Sequence, residues 1–345
     1  MYSILRRILF FFDAEKVHVF SLKALKLIYT TGLLRFLVPK PVNAPVTVMG
    51  ISFPNAVGLA AGLDKNAQYI DALSQCGFGF IEVGTVTPLA QPGNDKPRLF
   101  RLLADEAIIN RMGFNNHGVE ALVNSVKNSK KNCVLGINIG KNKDTPLEKA
   151  VDDYLICMQA VYVYADYITI NISSPNTPGL RELQHGEGLT SLLMQLKDKQ
   201  SELSERYQHY VPLAVKIAPD LTENEIKDIA QRLLSAGIDA VIATNTTNSR
   251  PSSLRCKKLA AESGGLSGKP VFERSTLVLR QLVAAMEGRI PVIAAGGIST
   301  AEDALEKINA GASLVQIYTG FIYTGPSLII DCAKKIASGH SDPSQ

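Results

Sequence analysis

"VIAAGGISTAEDALEKI", residues 292–308, sets three signals end to end: a short apolar run, a glycine pair, and a helical pattern that Ser299 or Thr300 can cap. Strand, tight turn and helix together make one βα unit. A chain that repeats this unit is an α/β protein, and the number of repeats decides which one.

Working outward, the same alternation recurs along most of the chain. Candidate parallel strands fall at 56–59, 80–83, 134–138, 167–171, 213–216, 240–243, 292–294 and 314–318, which is eight. Helical patterns follow them at 66–76, 117–130, 146–164, 187–207, 222–236, 271–287, 300–310 and 326–337. Eight units with both strand faces apolar predict a closed (β/α)8 TIM barrel; a doubly wound open sheet is the alternative that alternation alone leaves. "VTVMGISFP", 46–54, predicts a small β-hairpin before the barrel. The expected division is an N-terminal extension over 1–40 and one catalytic domain over 41–345.

Composition narrows the function. With 345 residues, 46% of them apolar, the chain exceeds the roughly 250 typical of a single barrel. The formal charge of +4 is unevenly spread. Residues 1–40 carry Arg6, Arg7, Lys16, Lys23, Lys26, Arg35 and Lys40 against Asp13 and Glu15, leaving the remainder slightly acidic. A basic appendage on a near-neutral body argues against a nucleic-acid partner. The five cysteines and five histidines are scattered, with no CxxC or HExxH, so no metal site is expected.

The extension itself reads as two short helices, with Asp13 as an N-cap and Gly32 as a stop. Val17, Phe20, Ala24, Leu27 and Ile28 form one apolar stripe on the second helix, and Leu22, Leu25 and Tyr29 form another, one turn on from His18. One packing face needs only one stripe. The pattern therefore fits a helix lying in a membrane interface, against the alternative of a hairpin packed wholly on the barrel. No stretch approaches the ~20 apolar residues that span a bilayer.

In a barrel of this kind chemistry sits where strands end. The strand ends here carry Ala61, Gly62 and Lys65; Thr85; Asn138; Asn171; Lys216; Thr244, Asn245 and Thr246; Gly296 and Gly297; and Tyr318 and Thr319. The last two groups follow strands seven and eight, where barrels commonly hold a phosphate. Two nucleotide motifs fail: "GGLSGKP", 264–270, has Ser263 and Pro270 where a Walker loop needs Gly and Ser or Thr, and "GFGFIE", 77–82, has Glu82 where a dinucleotide fingerprint needs Gly or Ala. Lys216, ending an apolar strand, suits charge stabilisation or a Schiff base.

Ten motifs in order carry a specific resemblance: "GLAAGLDKN" (58–66), "EVGTVTP" (82–88), "INRMGFNN" (109–116), "GINIGKN" (136–142), "NISSPNTPGLREL" (171–183), "VKIAPD" (215–220), "ATNTT" (243–247), "GGLSGKP", "AAGGI" (294–298) and "QIYTG" (316–320). Together they resemble the dihydroorotate dehydrogenases, and more narrowly the membrane-associated, quinone-dependent class 2 type. The resemblance implies FMN-dependent oxidation of dihydroorotate to orotate in pyrimidine biosynthesis, with a membrane quinone as final acceptor. It implies FMN contacts from Ala61, Gly62, Lys65, Thr85, Asn138, Asn171, Lys216, Thr244, Gly268, Gly297, Tyr318 and Thr319. It implies substrate contacts from Lys65, Asn110, Arg111, Met112, Gly113, Phe114, Asn171, Asn176, Asn245 and Thr246. Ser174 would be the base, with a relay through Thr177 and a water near Phe114; soluble members carry cysteine at that position. His18, Arg101 and Tyr318 are quinone-site candidates. The resemblance also leads to the expectation of a peripheral protein, touching membrane lipid on the cytoplasmic face of a bacterial inner membrane.

Overall fold

Runs of Val, Ile, Leu and Ala that are apolar on both faces belong inside a parallel sheet covered by helices. In the computed structural model, which describes residues 2–339, thirteen strands form, eight of them from such runs. They are β1 (Val46–Val48), β2 (Ile51–Phe53), β3 (Val57–Leu59), β4 (Phe80–Val86), β5 (Leu99–Leu102), β6 (Ala107–Asn110), β7 (Val134–Ile139), β8 (Tyr167–Asn171), β9 (Leu213–Ile217), β10 (Ala240–Ala243), β11 (Gly265–Gly268), β12 (Val292–Ala295) and β13 (Leu314–Ile317). The eight expected strands close a parallel barrel in the order β3-β4-β7-β8-β9-β10-β12-β13, sealed where Val315 pairs with Val57. Val134 is the one residue of these strands that is not fully buried. The expected hairpin is β1-β2, turning at Met49 and Gly50.

Helices fill the connections: α1 (Tyr2–Leu9), α2 (Ala14–Thr30), α3 (Leu34–Leu37), α4 (Ile70–Ser74), α5 (Val119–Lys127), α6 (Ala150–Val161), α7 (Gly186–Tyr207), α8 (Glu223–Ala236), α9 (Lys257–Ala260), α10 (Phe272–Met286), α11 (Ala301–Asn309), α12 (Thr319–Thr324) and α13 (Ser327–Gly339). Thr300 caps α11 in a full capping box with Asp303, and Thr222 does the same for α8 with Glu225.

Two features differ from expectation. A second sheet, antiparallel in the order β11-β6-β5, lies outside the barrel and encloses its own small core of Leu102, Ala107, Ile109, Leu254, Leu266 and Val271. It joins a hairpin inserted between β4 and β7 to a strand inserted between β10 and β12. The N-terminal extension has a third, one-turn helix, α3, beyond the stop at Gly32, whose φ is +74°.

The extension is clamped to the barrel along one side only. Leu22 is buried and Leu25 packs against the core, whereas Phe20 and Leu27 on the other stripe are 62% and 66% exposed. The Asp13 side chain caps α2 by accepting from Lys16 N at 2.9 Å. Polar ties hold it in place. The Tyr2 hydroxyl donates to Ile322 O at 2.6 Å, Arg6 donates to Tyr323 O, Lys26 donates to Gln68 O at 3.0 Å, and Glu15 pairs with Arg98 at 2.8 Å. Among the described residues no helix is long and apolar enough to cross a membrane.

Candidate active site

A parallel barrel presents the C-terminal ends of all its strands at one rim, and the side chains there are polar because the loops begin there. The rim of this barrel and the edge of the second sheet enclose a cleft of about 1060 Å³. Asn110, Leu266, Ser267 and Gly268 reach it from the second sheet; Ala61, Gly62, Lys65, Thr85, Asn171, Lys216, Thr244, Gly297, Tyr318 and Thr319 reach it from the rim.

Amide and hydroxyl side chains from neighbouring strands form one buried chain. Asn171 Nδ2 donates to Thr85 Oγ1 at 2.9 Å and to Asn138 Oδ1 at 3.1 Å, and Thr85 Oγ1 donates to the same Asn138 Oδ1 at 2.5 Å. On the other side Asn245 Nδ2 donates to Asn171 Oδ1 at 3.3 Å and to Ser173 Oγ at 3.0 Å. Such a network fixes which face of each amide is donor and which is acceptor, so the rim is pre-organised for a heterocycle with both.

Sequence reasoning passed over the carboxylate beneath this network. Glu82, noted only as a break in a dinucleotide fingerprint, is wholly buried inside the barrel. It accepts from Asn138 Nδ2 at 2.8 Å, Gln316 Nε2 at 2.7 Å, Tyr167 OH at 3.0 Å and Thr169 Oγ1 at 3.1 Å. Its signal was a single acidic residue in a strand that is otherwise apolar. Lys216 lines the cleft above it; burial pushes the Lys216 ammonium below the usual lysine range, and Glu82 pulls in the opposite direction.

The "NISSPNTPGL" loop follows β8. Ser174 is buried and lines the cleft, and the one hydrogen bond of its Oγ among the described residues is from Asn176 N at 3.2 Å. Asn176 Nδ2 reaches Asn110 Oδ1 at 3.4 Å across the cleft. Met112, Gly113, Phe114, Asn245 and Thr246 complete this end. Thr177 is buried behind the loop and does not line the cleft, and neither does Asn138, which acts through Thr85 and Asn171. Arg111 turns away: its guanidinium pairs with Glu262 at 2.8 Å over the Phe100 ring, and its amide and carbonyl are bonded to Arg98 and Asn94.

Lys65 stands at the cleft wall nearest α2. Burial, and then the nearby Arg98 charge, push its ammonium down to about 8. His18 of α2 is close by; burial and Lys65 push its imidazole down to about 4. Tyr318 lines the same cleft, its hydroxyl pushed up to about 12 by burial. Arg101 sits farther out, donating to the carbonyls of Leu9 and Phe12 with its guanidinium 4.5 Å over the Phe10 ring. The loops after β12 and β13 nest at the far end of the cleft: a side chain at Gly297 would collide with the Phe272 backbone, and one at Gly320 with the Ile298 carbonyl.

A sequence profile described as dihydroorotate dehydrogenase matches residues 43–339. The chain belongs to the dihydroorotate dehydrogenase family. Its relatives include the dihydroorotate dehydrogenase (quinone) of Idiomarina loihiensis, 60% identical over 95% of this chain and 98% of the relative. The dihydroorotate dehydrogenase (quinone) of Neisseria meningitidis serogroup C is 56% identical over 98% of this chain and 100% of the relative. Among solved structures, dihydroorotate dehydrogenase of Eimeria tenella in complex with ferulenol superposes with a TM-score of 0.85 at 40% identity, covering 94% of this chain and 90% of that one. Within the family the chain is of the quinone-dependent class 2 type.

Dihydroorotate dehydrogenases are flavin-dependent, and the cleft suits a flavin on its own terms. Gln316 is held by Glu82 through its Nε2, and its buried Oε1 has no partner among the described residues, leaving an acceptor on the cleft floor. Lys216 presents a cation beside it. An unpartnered acceptor and a cation lining one cleft suit the imide edge of an isoalloxazine ring.

Proposed function

We propose that the cleft binds FMN along the β12–β13 side and dihydroorotate against the β8 loop, in a catalytic domain spanning 41–345. The enzyme oxidises dihydroorotate to orotate in pyrimidine biosynthesis and uses a quinone as electron acceptor. The observation that carries the site assignment is the Thr85–Asn138–Asn171–Asn245 chain, of which Thr85, Asn171 and Asn245 line the same cleft as Lys65 and Lys216.

Bound FMN supplies the hydride acceptor and the route of electrons to quinone. The chain's own residues do the rest. Lys216, Thr85, Asn138 and Asn171 would hold the flavin, with the Lys216 cation offsetting negative charge on the reduced ring. The Gly297 and Thr319 loops and Gly268 would take its phosphate, and Ala61, Gly62, Thr244 and Tyr318 would hold the rest of the cofactor. Lys65 pairs with the substrate carboxylate, and Asn110, Asn176, Asn245 and Thr246 hold the pyrimidine amides. The Arg111–Met112–Gly113–Phe114 segment closes the substrate side. Ser174 Oγ takes the proton from the carbon next to the one that loses hydride, a placement that needs a base on the face opposite the flavin. The Asn176 N–H donated to that oxygen favours the negative charge it acquires. Thr177 and Phe114 border the proton's way out.

Residues 1–40 form the membrane-facing unit. Nineteen large apolar residues of the described chain are exposed, and eleven of them lie between Ile4 and Leu37. None of the seven Lys and Arg residues in the first forty makes an ion pair with a carboxylate among the described residues, although sixteen Lys or Arg pairs with carboxylates occur elsewhere or through Glu15. Apolar side chains beside cations that have no carboxylate partner suit a peripheral helix on an anionic lipid surface, here the cytoplasmic face of a bacterial inner membrane. Quinone would enter between this unit and the barrel, toward His18, Arg101 and Tyr318.

The purified protein is expected to show flavin absorbance that bleaches on anaerobic addition of dihydroorotate and returns on addition of quinone. A colourless protein, or a bound flavin that dihydroorotate leaves oxidised, would overturn the assignment.

A further inference from the structure

Lys307, on α11, is a fully buried lysine that the reaction does not use. Its Nζ donates to Ser275 Oγ and Thr276 Oγ1, each at 2.7 Å, and to Phe272 O at 3.3 Å, and it lies 4.6 Å from the Phe272 ring centroid. All of these partners are neutral. No carboxylate lies within ion-pair distance of it among the described residues, while its neighbour Glu306 is taken by Arg280 at 3.1 Å. A buried cation with only neutral partners is costly to keep, so a compensating anion is expected close at hand.

The partners of Lys307 lead in one direction. Ser275 Oγ, which accepts from Lys307, has Gly296 O at 2.9 Å and Phe272 O at 3.0 Å as acceptors within reach of its single proton. Phe272 is the residue whose backbone leaves no room for a side chain at Gly297. Lys307 is therefore one hydroxyl removed from the Gly296–Gly297 turn, on the side away from the cleft. The other side of that turn lines the cleft.

We propose that Lys307 is a positioning residue for the cofactor phosphate: a buried cation behind the Gly296–Gly297 turn that offsets the anion's charge and, through Ser275, fixes the turn that cradles it. This rests on the reading that the β12 and β13 loops hold the phosphate of FMN. Burial pushes the Lys307 ammonium down to about 7; the carboxylates of Glu306 and Asp303 on its own helix pull it up, and Arg280 of α10 pushes it down. An anion arriving across the turn favours the charged form, so binding takes up a proton near neutral pH.

The test compares FMN with riboflavin, which lacks the phosphate. Flavin release from the full-length holoenzyme and rebinding to the flavin-depleted full chain are followed by flavin fluorescence, for the wild type and Lys307→Met. Met keeps the apolar stem, and Ser275 and Thr276 keep acceptors for their own protons. The expected result is a preference for FMN in the wild type that shrinks on the order of tenfold in Lys307→Met, with riboflavin affinity unchanged. Wild-type FMN affinity is also expected to fall between pH 6.5 and 8.5, and to do so less in the variant. An unchanged preference in a folded Lys307→Met would overturn the role of Lys307 alone. A wild type that binds both flavins equally would overturn the phosphate reading beneath it. If Lys307→Met does not fold, Ser275→Ala decides: a reduced FMN preference supports the link and an unchanged one refutes it.

Discussion

Glu15 of α2 and Arg98 of the barrel's β4–β7 connection meet at 2.8 Å, with only 14% and 6% of their side chains exposed. Lys96 approaches the same carboxylate at 3.4 Å, and the opposite face of the Arg98 guanidinium donates to Pro92 O and Asn94 O at 2.7 and 2.8 Å. Asn94 in turn bonds the carbonyls of Arg111 and Asn176. One ion pair thus ties the N-terminal helix α2 to the loop that frames the cleft.

Removing one member of a pair this buried costs on the order of 3 kcal/mol. Glu15→Gln is the cleaner probe, since Arg98 also supports the substrate loop. Stopped-flow reduction of the flavin by dihydroorotate is expected to stay within about twofold of wild type. Steady-state turnover with quinone is expected to fall at least fivefold, and deletion of 1–40 to abolish it. Full quinone turnover after the deletion would exclude a quinone route through the extension.

Ser174→Ala should keep its flavin, because the Ser174 hydroxyl makes no contact with the Thr85–Asn138–Asn171 chain. The rate of flavin reduction should drop by about 10²- to 10⁴-fold, the usual worth of a positioned base. Ser174→Cys should recover part of it at high pH, since a thiolate forms more readily than an alkoxide. An undiminished reduction rate in the alanine variant would remove Ser174 from the mechanism.

The Lys65 ammonium titrates at about 8, lowered by burial and by Arg98. Pairing with the substrate carboxylate requires the charged form, so KM for dihydroorotate should be flat below pH 7 and rise up to about tenfold per pH unit above 8. Lys65→Met should have a raised KM without that upturn. A wild-type KM that is constant to pH 9.5 would show that Lys65 does not bind the carboxylate.

His18 supplies a pH dependence of the opposite sense. Its folded-state value of about 4 lies below the ordinary 6.5, so the unfolded or undocked helix binds the proton first. The docking it supports is complete above pH 6.5 and is lost as the pH falls toward 4. Thermal melts of wild type should therefore lose stability across that window more steeply than those of His18→Phe. Parallel curves for the two proteins would count against a neutral, docked imidazole.

The barrel was readable because its strands are buried on both sides and appear as unbroken apolar runs, as in "YITI" and "VIAA". The second sheet was not. Half of β11, "GLSG", is glycine, and it becomes a strand only by pairing with Ala107–Asn110, far away in the chain. The rim residues were visible as polar side chains at strand ends. Glu82 and Lys307 were hidden for different reasons: Glu82 is the one charge in an otherwise apolar stretch of strand, whereas Lys307 sits among Glu302, Asp303 and Glu306 on a helix that reads as a solvated charged face, and the partners of both arrive from other elements. Arg111 shows the limit of motif matching, since a residue inside a matched stretch points its side chain elsewhere.

The tie between Tyr2 and Ile322 spans 320 residues of chain. A ribosome adding about 5–20 residues per second needs tens of seconds to make the second partner after the first. For that interval α1, with its apolar face, has no C-terminal surface to rest on, and the barrel cannot close because β13 does not yet exist. The timing of synthesis, and not only the finished structure, therefore governs when the N-terminal extension can dock on the barrel.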